Sequence, residues 1–107
     1  MPSPGEIWLA NIPFTNAIAS KVRPVLVLWL DAADCVTSAI TSAQPRSLSD
    51  VPLSDWQQAG LRVPSTVRIS RLDFLEQVLL IKKLGKISPG DAAVIKRVWT
   101  QQIQLRF

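Results

Sequence analysis

The first apolar stretch, Glu6 to Ile12, is rich in strand-forming residues and bounded by Pro4-Gly5 and Pro13, which predicts a β-strand. A small, polar loop spanning 13–21 follows. Arg23-Pro24 then opens the unbroken apolar run Val25-Leu26-Val27-Leu28-Trp29-Leu30. Such a run predicts a central strand covered on both faces, with proline at its first position, where no ladder donor is lost. Asp31 to Asp34 forms a turn, and Cys35 to Ile40 pairs back on the preceding strand as a hairpin. The stretch 44–50 is a loop and Val51-Pro52-Leu53 a short edge strand, after which Ser54 caps one or two helical turns ended by Gly60. Thr66 to Ile69 is another short strand. Glu76 to Leu84 makes two strand-like pieces, with Gly85 as the break before Lys86-Ile87.

The last segment carries its own helix signals. Ser88 is placed to cap, Pro89 to begin the first turn and Asp91 to complement the helix dipole. Val94, Ile95, Val98 and Ile103 follow the helical period, while Lys96, Arg97 and Gln101 fall elsewhere. Several strands with no helix between the early ones predict a mainly β fold, a small antiparallel barrel with appended helices.

Length and composition narrow the picture. A chain of 107 residues suits one domain, 1–107, around one modest core. With 48% hydrophobic and 19% charged residues it is not a disordered segment. No apolar run approaches the roughly 18 residues of a membrane helix, and Met1-Pro2-Ser3-Pro4 does not resemble a secretory signal, so a soluble, cytoplasmic protein with no membrane partner is expected. The single cysteine excludes an internal disulfide and a cysteine-cluster metal site, and the absence of histidine removes the commonest general base and metal ligand. Four scattered glycines cannot form a phosphate loop, and no carboxylate pair has ligand spacing. No metal and no cofactor are expected. Cys35, inside an apolar strand, reads as a buried small hydrophobe. Twelve Lys and Arg against eight Asp and Glu, a formal charge of +4, favour a polyanionic partner.

Candidate chemistry therefore falls to arginines and hydroxyls. Arg23 sits where a polar loop meets the most apolar strand; it reads as a functional group at a barrel mouth or as a solvated strand-end cation. Arg68 alternates with Thr66 and Ser70 on one face of its strand, with Ser65, Val67 and Ile69 on the other. Thr41-Ser42 ends the hairpin strand, with hydroxyls that suit either an oxyanion or a turn start. A guanidinium is permanently charged, planar and bidentate toward phosphate oxygens, so an arginine pair with neighbouring hydroxyls suits an RNA phosphodiester. It also suits the charge that develops when a 2′-hydroxyl attacks the adjacent phosphate. Among the aromatic residues, Trp8 and Trp29 are assigned to the core, leaving Phe14 as the exposed stacker.

The order of these pieces resembles the PemK/MazF family of toxin endoribonucleases. Pro4-Gly5-Glu6-Ile7-Trp8-Leu9 is similar to the family's first strand, and Pro13-Phe14-Thr15-Asn16 followed by Lys21-Val22-Arg23-Pro24-Val25-Leu26-Val27-Leu28 to its most distinctive signature. Ala39-Ile40-Thr41-Ser42, Ala59-Gly60-Leu61, Pro64-Ser65-Thr66-Val67-Arg68 and Leu84-Gly85-Lys86-Ile87-Ser88 continue the likeness along nearly the whole chain. The resemblance implies an SH3-like barrel that forms a homodimer, cuts single-stranded RNA without metal, leaves a cyclic phosphate and a 5′-hydroxyl, and is silenced by a cognate antitoxin protein. By the same resemblance, Arg23 binds the scissile phosphate, Thr41 hydrogen-bonds it and Arg68 serves as general acid, with Glu6, Ser42 and Ser65 as further catalytic or site-supporting residues. Phe14, Thr15, Asn16, Lys21 and Ser70 are expected to contact RNA. The sequence departs from the family where some members carry a carboxylate, since Ser70 stands there; it also lacks the glycine before Arg-Pro and the first-loop histidine. Two other readings accompany this one: a toxin of the same fold that inhibits DNA gyrase by protein–protein contact, and a non-catalytic RNA-binding relative.

Overall fold

The computed structural model describes residues 1–13 and 19–107. Its strands are β1 (Glu6–Pro13), β2 (Ser20–Asp31), β3 (Asp34–Thr41), β4 (Asp50–Pro52), β5 (Thr66–Glu76) and β6 (Leu80–Lys86), followed by the helix α1 (Pro89–Gln102). They form one antiparallel sheet in the order β4-β5-β3-β2-β1-β6. The mainly β class with a C-terminal helix is as expected, although β4 and β6 do not pair to close the sheet into a complete barrel.

β2 supplies both sides of the core. Its Leu26 joins Ile7, Ile40, Val67, Ile69 and the helical Ile95 on one face, while Val25 and Val27 join Ala10, Cys35, Leu75 and Leu80 on the other. The central strand is thus covered on both faces along Val25-Leu26-Val27, as its apolar run predicts. The run's far end behaves differently. Trp29, expected in the core, is 43% exposed and lies edge-on to Trp99 of α1, with ring centroids 5.9 Å apart. Both indoles line an open groove between β2 and α1, so covering ends there, at a contact made by residues seventy positions apart.

Strand limits differ from the sequence reading where long-range pairing extends or interrupts a run. β2 begins at Ser20, so Pro24 lies inside the strand. It is tolerated because Pro24 pairs with Leu9 of β1 while the β2–β3 ladder has already ended at Val25↔Ala39, leaving no donor missing on that side. The short strand expected at Thr66 to Ile69 and the segment after it are one strand, β5, interrupted by a bulge. Opposite β3 the register passes from Ser38↔Leu72 to Ala39↔Arg68, and the buried Ser38 hydroxyl donates to the Ile69 carbonyl across the gap. A 3₁₀ turn, Gln77–Leu79, links β5 to β6, and Gly85 lies within β6 rather than breaking it.

The helix starts as predicted: the Ser88 hydroxyl accepts from the Asp91 N–H at 3.1 Å, with Pro89 in the first turn. The helical turns expected after Ser54 do not form an α-helix; residues 54–60 make a series of tight turns. Ser54 is not their cap. The buried Asp91 carboxylate accepts instead from the Ser54 N–H at 3.0 Å and the Asp55 N–H at 2.9 Å. The same turn is clamped against β6. Gly60 has φ +90°, and a Cβ there would lie 2.0 Å from the Leu84 carbonyl oxygen; one on Gly85 would lie 2.3 Å from that of Ala59. Backbone packing at the two glycines thereby links the β4–β5 connection to the far edge strand, where hydrogen-bonded closure is absent.

Candidate active site

A groove of about 550 Å³ opens where β2 and β3 part. The β2–β3 ladder ends at Val25↔Ala39; beyond it, Lys21 to Pro24 stay paired with β1, while Ile40 and Thr41 stay paired with β5. The diverging ends leave Lys21 and Arg23 on one wall and Thr41 and Ser42 on the other. The clamped connection contributes Gly60, Leu61, Arg62, Val63 and Ser65, and β6 contributes Lys82 and Leu84. Five of the expected site residues, Lys21, Arg23, Thr41, Ser42 and Ser65, thus meet in one cleft.

The hydroxyls are not equivalent. Thr41 Oγ1 accepts from the Ala43 N–H at 3.1 Å, which fixes the oxygen and leaves its O–H uncommitted among the described residues. Ser65 Oγ donates to the Val63 carbonyl at 2.8 Å, so its proton is committed to shaping the loop. The charges are one-sided: among the described residues Lys21, Arg23, Arg62 and Lys82 line the groove and no carboxylate does. Among the described residues none of these four cations forms an ion pair. Such a cleft focuses positive potential on whatever anion enters it. Arg62 and Lys82 were not singled out in the sequence, since each follows an unremarkable local pattern and only the fold makes them neighbours of Arg23.

Arg68 stands beside the groove instead of in it. Its Nε faces Asp50 Oδ1 at 3.5 Å, and together with Thr41 the pair lines a separate small cavity of about 20 Å³. Glu6 is also apart from the groove. Its Oε1 accepts from the Ser3 N–H at 2.8 Å and the Trp8 Nε1–H at 3.0 Å, and its Oε2 lies 2.9 Å from Lys83 Nζ. The Lys83 hydrogen bond, then that of Trp8, hold this carboxyl down at about 2, against the opposing effect of burial. A group so acidic and so engaged is a poor proton acceptor near neutrality, and its geometry is that of a tie between β1 and β6. Ser70 is exposed, shares a hydrogen bond with Ser49 at 2.9 Å and does not line the groove. Phe14, Thr15 and Asn16 lie outside the described residues.

Cys35 is buried, as expected; burial, and then the neighbouring Asp34, push its thiol up. Among the described residues no three His, Cys, Asp or Glu side chains come together as a metal site, and no helix is long and apolar enough to cross a membrane. A second, larger groove of about 770 Å³ lies between β2 and α1. Its walls, including Leu28, Trp29, Ile95 and Trp99, are mainly apolar; Lys86, Lys96 and Thr100 also line it, and no arginine does among the described residues.

Fold and groove together define a small antiparallel β protein with one terminal helix and a cationic cleft between diverging central strands. The sequence profile described as PemK-like, MazF-like toxin of type II toxin–antitoxin system matches residues 3–103, and the chain belongs to that family. Solved structures of the same fold include an endoribonuclease from Mycobacterial species, with a TM-score of 0.74 at 16% identity, covering 99% of this chain and 94% of the other. A second is an endoribonuclease in complex with its cognate antitoxin from Mycobacterial species, with a TM-score of 0.77 at 18% identity, covering 100% and 99%. A third is the Mycobacterium tuberculosis toxin MazF-mt6, with a TM-score of 0.75 at 19% identity, covering 95% and 99%. No curated protein matches the sequence significantly.

Proposed function

We propose that this chain is a metal-independent endoribonuclease, the toxin of a toxin–antitoxin pair, cutting single-stranded RNA by 2′-hydroxyl attack on the adjacent phosphate. The observation that carries the reading is the meeting of Arg23 and the donor hydroxyl of Thr41 in one cationic groove free of carboxylates. In the reaction the 2′-oxygen bonds to phosphorus and the bond from phosphorus to the 5′-oxygen breaks. A 2′,3′-cyclic phosphate and a 5′-hydroxyl result, with one proton passing from the 2′- to the 5′-oxygen. Negative charge builds on the non-bridging oxygens, where a guanidinium and a fixed hydroxyl stabilise it. Lys21, Arg62 and Lys82 then hold the flanking phosphates, so that the scissile group is positioned as well as neutralised.

Arg23→Ala is expected to lower the cleavage rate of single-stranded RNA, in excess chelator, by at least about 10²–10³-fold, the scale of losing one charge-stabilising donor. The exposed position of Arg23 predicts an unchanged unfolding midpoint. A purified variant that cuts as fast as the parent would remove the basis of the reading. Salt-dependent RNA retention without fragments in the parent protein would instead identify a non-catalytic RNA binder. The expected partners are RNA, a cognate antitoxin and a second copy of the chain. The apolar groove beside Trp29 and Trp99, and the exposed Leu72 and Phe74 of β5, support contacts with protein.

A further inference from the structure

We propose that Asp50 is a positioning residue for RNA cleavage: from the edge strand β4 its carboxylate orients the Arg68 guanidinium in the small cavity that Thr41 also lines. The inference rests on the endoribonuclease reading above.

Asp50 opens the shortest strand of the sheet and lies directly opposite Arg68 in the β4–β5 register. Its side chain is 2% exposed, against 33% for Arg68. Aspartate is disfavoured in strands, and a buried charge is costly unless paired; an apolar pair at these positions would stabilise the edge as well or better. The carboxylate is fixed from behind, because Oδ2 accepts from the Arg46 N–H at 2.9 Å. Its other oxygen faces Arg68 Nε at 3.5 Å, an ion pair in which neither atom completes a hydrogen bond. With Nε turned to the carboxylate, the two Nη groups are the donors left for an oxyanion. Register brings Arg68 beside Thr41: Arg68 pairs with Ala39 and Thr66 with Thr41, so Arg68 and Thr41 are diagonal neighbours on adjacent strands. Asp50, Arg68 and Thr41 then wall the same cavity of about 20 Å³, next to the groove that Thr41 shares with Arg23. A buried anion thus sets the direction of a one-third-exposed cation beside the hydroxyl proposed to touch the phosphate.

The test compares Asp50→Asn, Arg68→Ala and the double variant on a long single-stranded RNA in excess chelator. Asp50→Asn keeps an acceptor for the Arg46 N–H but turns an amide donor, in place of an anion, toward Nε. Loss of an interaction with a charged group predicts a fall in kcat of roughly tenfold or more, with KM little changed. Because Asp50 acts through Arg68, the double variant should be no slower than Arg68→Ala alone. Asp50→Glu should recover part of the rate. Wild-type kcat in Asp50→Asn, or single effects that multiply in the double variant, would overturn the proposal. Where Asp50→Asn does not fold, Arg68→Lys keeps the charge without the planar fork, and an unchanged rate there is equally fatal. A parent protein that binds RNA without cutting overturns the nuclease reading separately. The coupling is then read from the affinity for an uncleavable 2′-O-methyl RNA, where independent effects again reject Asp50 and coupled ones support it. A parent that neither cuts nor binds RNA ends both.

Discussion

Glu6 takes three contacts on one carboxylate: the Ser3 N–H, the Trp8 indole and the Lys83 ammonium. Together they lower its pKa from 4.5 to about 2. A depressed carboxyl contributes stability that is fully present above the unfolded value and lost as pH falls through the folded one. The unfolding midpoint should therefore fall between about pH 4.5 and 2 partly on account of this residue. In Glu6→Gln that part of the acid slope should be absent; thermal melts of the two proteins across this range check it, and parallel curves would refute it. A motif locates a side chain on its strand without deciding what that side chain touches. The resemblance placed Glu6 among site residues, and its position at the start of β1 is as expected, but what its carboxylate touches depends on Lys83, far along the chain.

At the scale of elements, the helix and the turns at 54–60 contrast instructively. α1 was legible because its cap, proline and acidic first turn are consecutive in sequence. The turns were read as helical because the residues that satisfy their leading N–H groups are not local: both bonds go to Asp91, more than thirty residues on. The element's other anchor is the glycine contact with β6. Gly85→Ala would bring a methyl within 2.3 Å of the Ala59 carbonyl oxygen, which is backbone and cannot rotate away. A loss of about 1–3 kcal/mol or more is expected from such overpacking, measured by denaturant unfolding. The groove should suffer as well, since Leu61, Arg62 and Val63 ride on this connection. A variant of parental stability would mean the contact does not clamp the two edges.

For the molecule as a whole, the decisive quantity is where the charge sits. A formal +4 spread evenly would be unexceptional; here four cations from β2, the β4–β5 connection and β6 converge on one cleft. If Lys82 and Arg62 hold flanking phosphates, Lys82→Ala and Arg62→Ala should each weaken RNA binding and lower the slope of log affinity against log salt by about 0.7, the value for one single-strand phosphate. Affinity for uncleavable RNA at several salt concentrations checks this, and an unaltered slope in both variants would place the strand elsewhere. Apolar surface also gathers away from this cleft, where Trp29 and Trp99 line the second groove.

The early strands, the hairpin at Asp31 to Asp34, the doubly covered Val25-Leu26-Val27 and the capped terminal helix follow from the amino-acid sequence alone, because periodicity, turn residues and caps act over a few neighbouring positions. The sequence also marked Arg23 and Thr41, since Arg23 stands at the entry of one apolar run and Thr41 at the end of another, and both belong to motifs read along the chain. Long-range packing was needed to part β2 and β3 between them, to bring Arg62 and Lys82 alongside and to turn Arg68 to Asp50. It also placed Glu6 in a tie between strands instead of the cleft. Those outcomes depend on bulges, register and close backbone approach between segments distant in sequence, where one residue of slip exchanges which side chains meet.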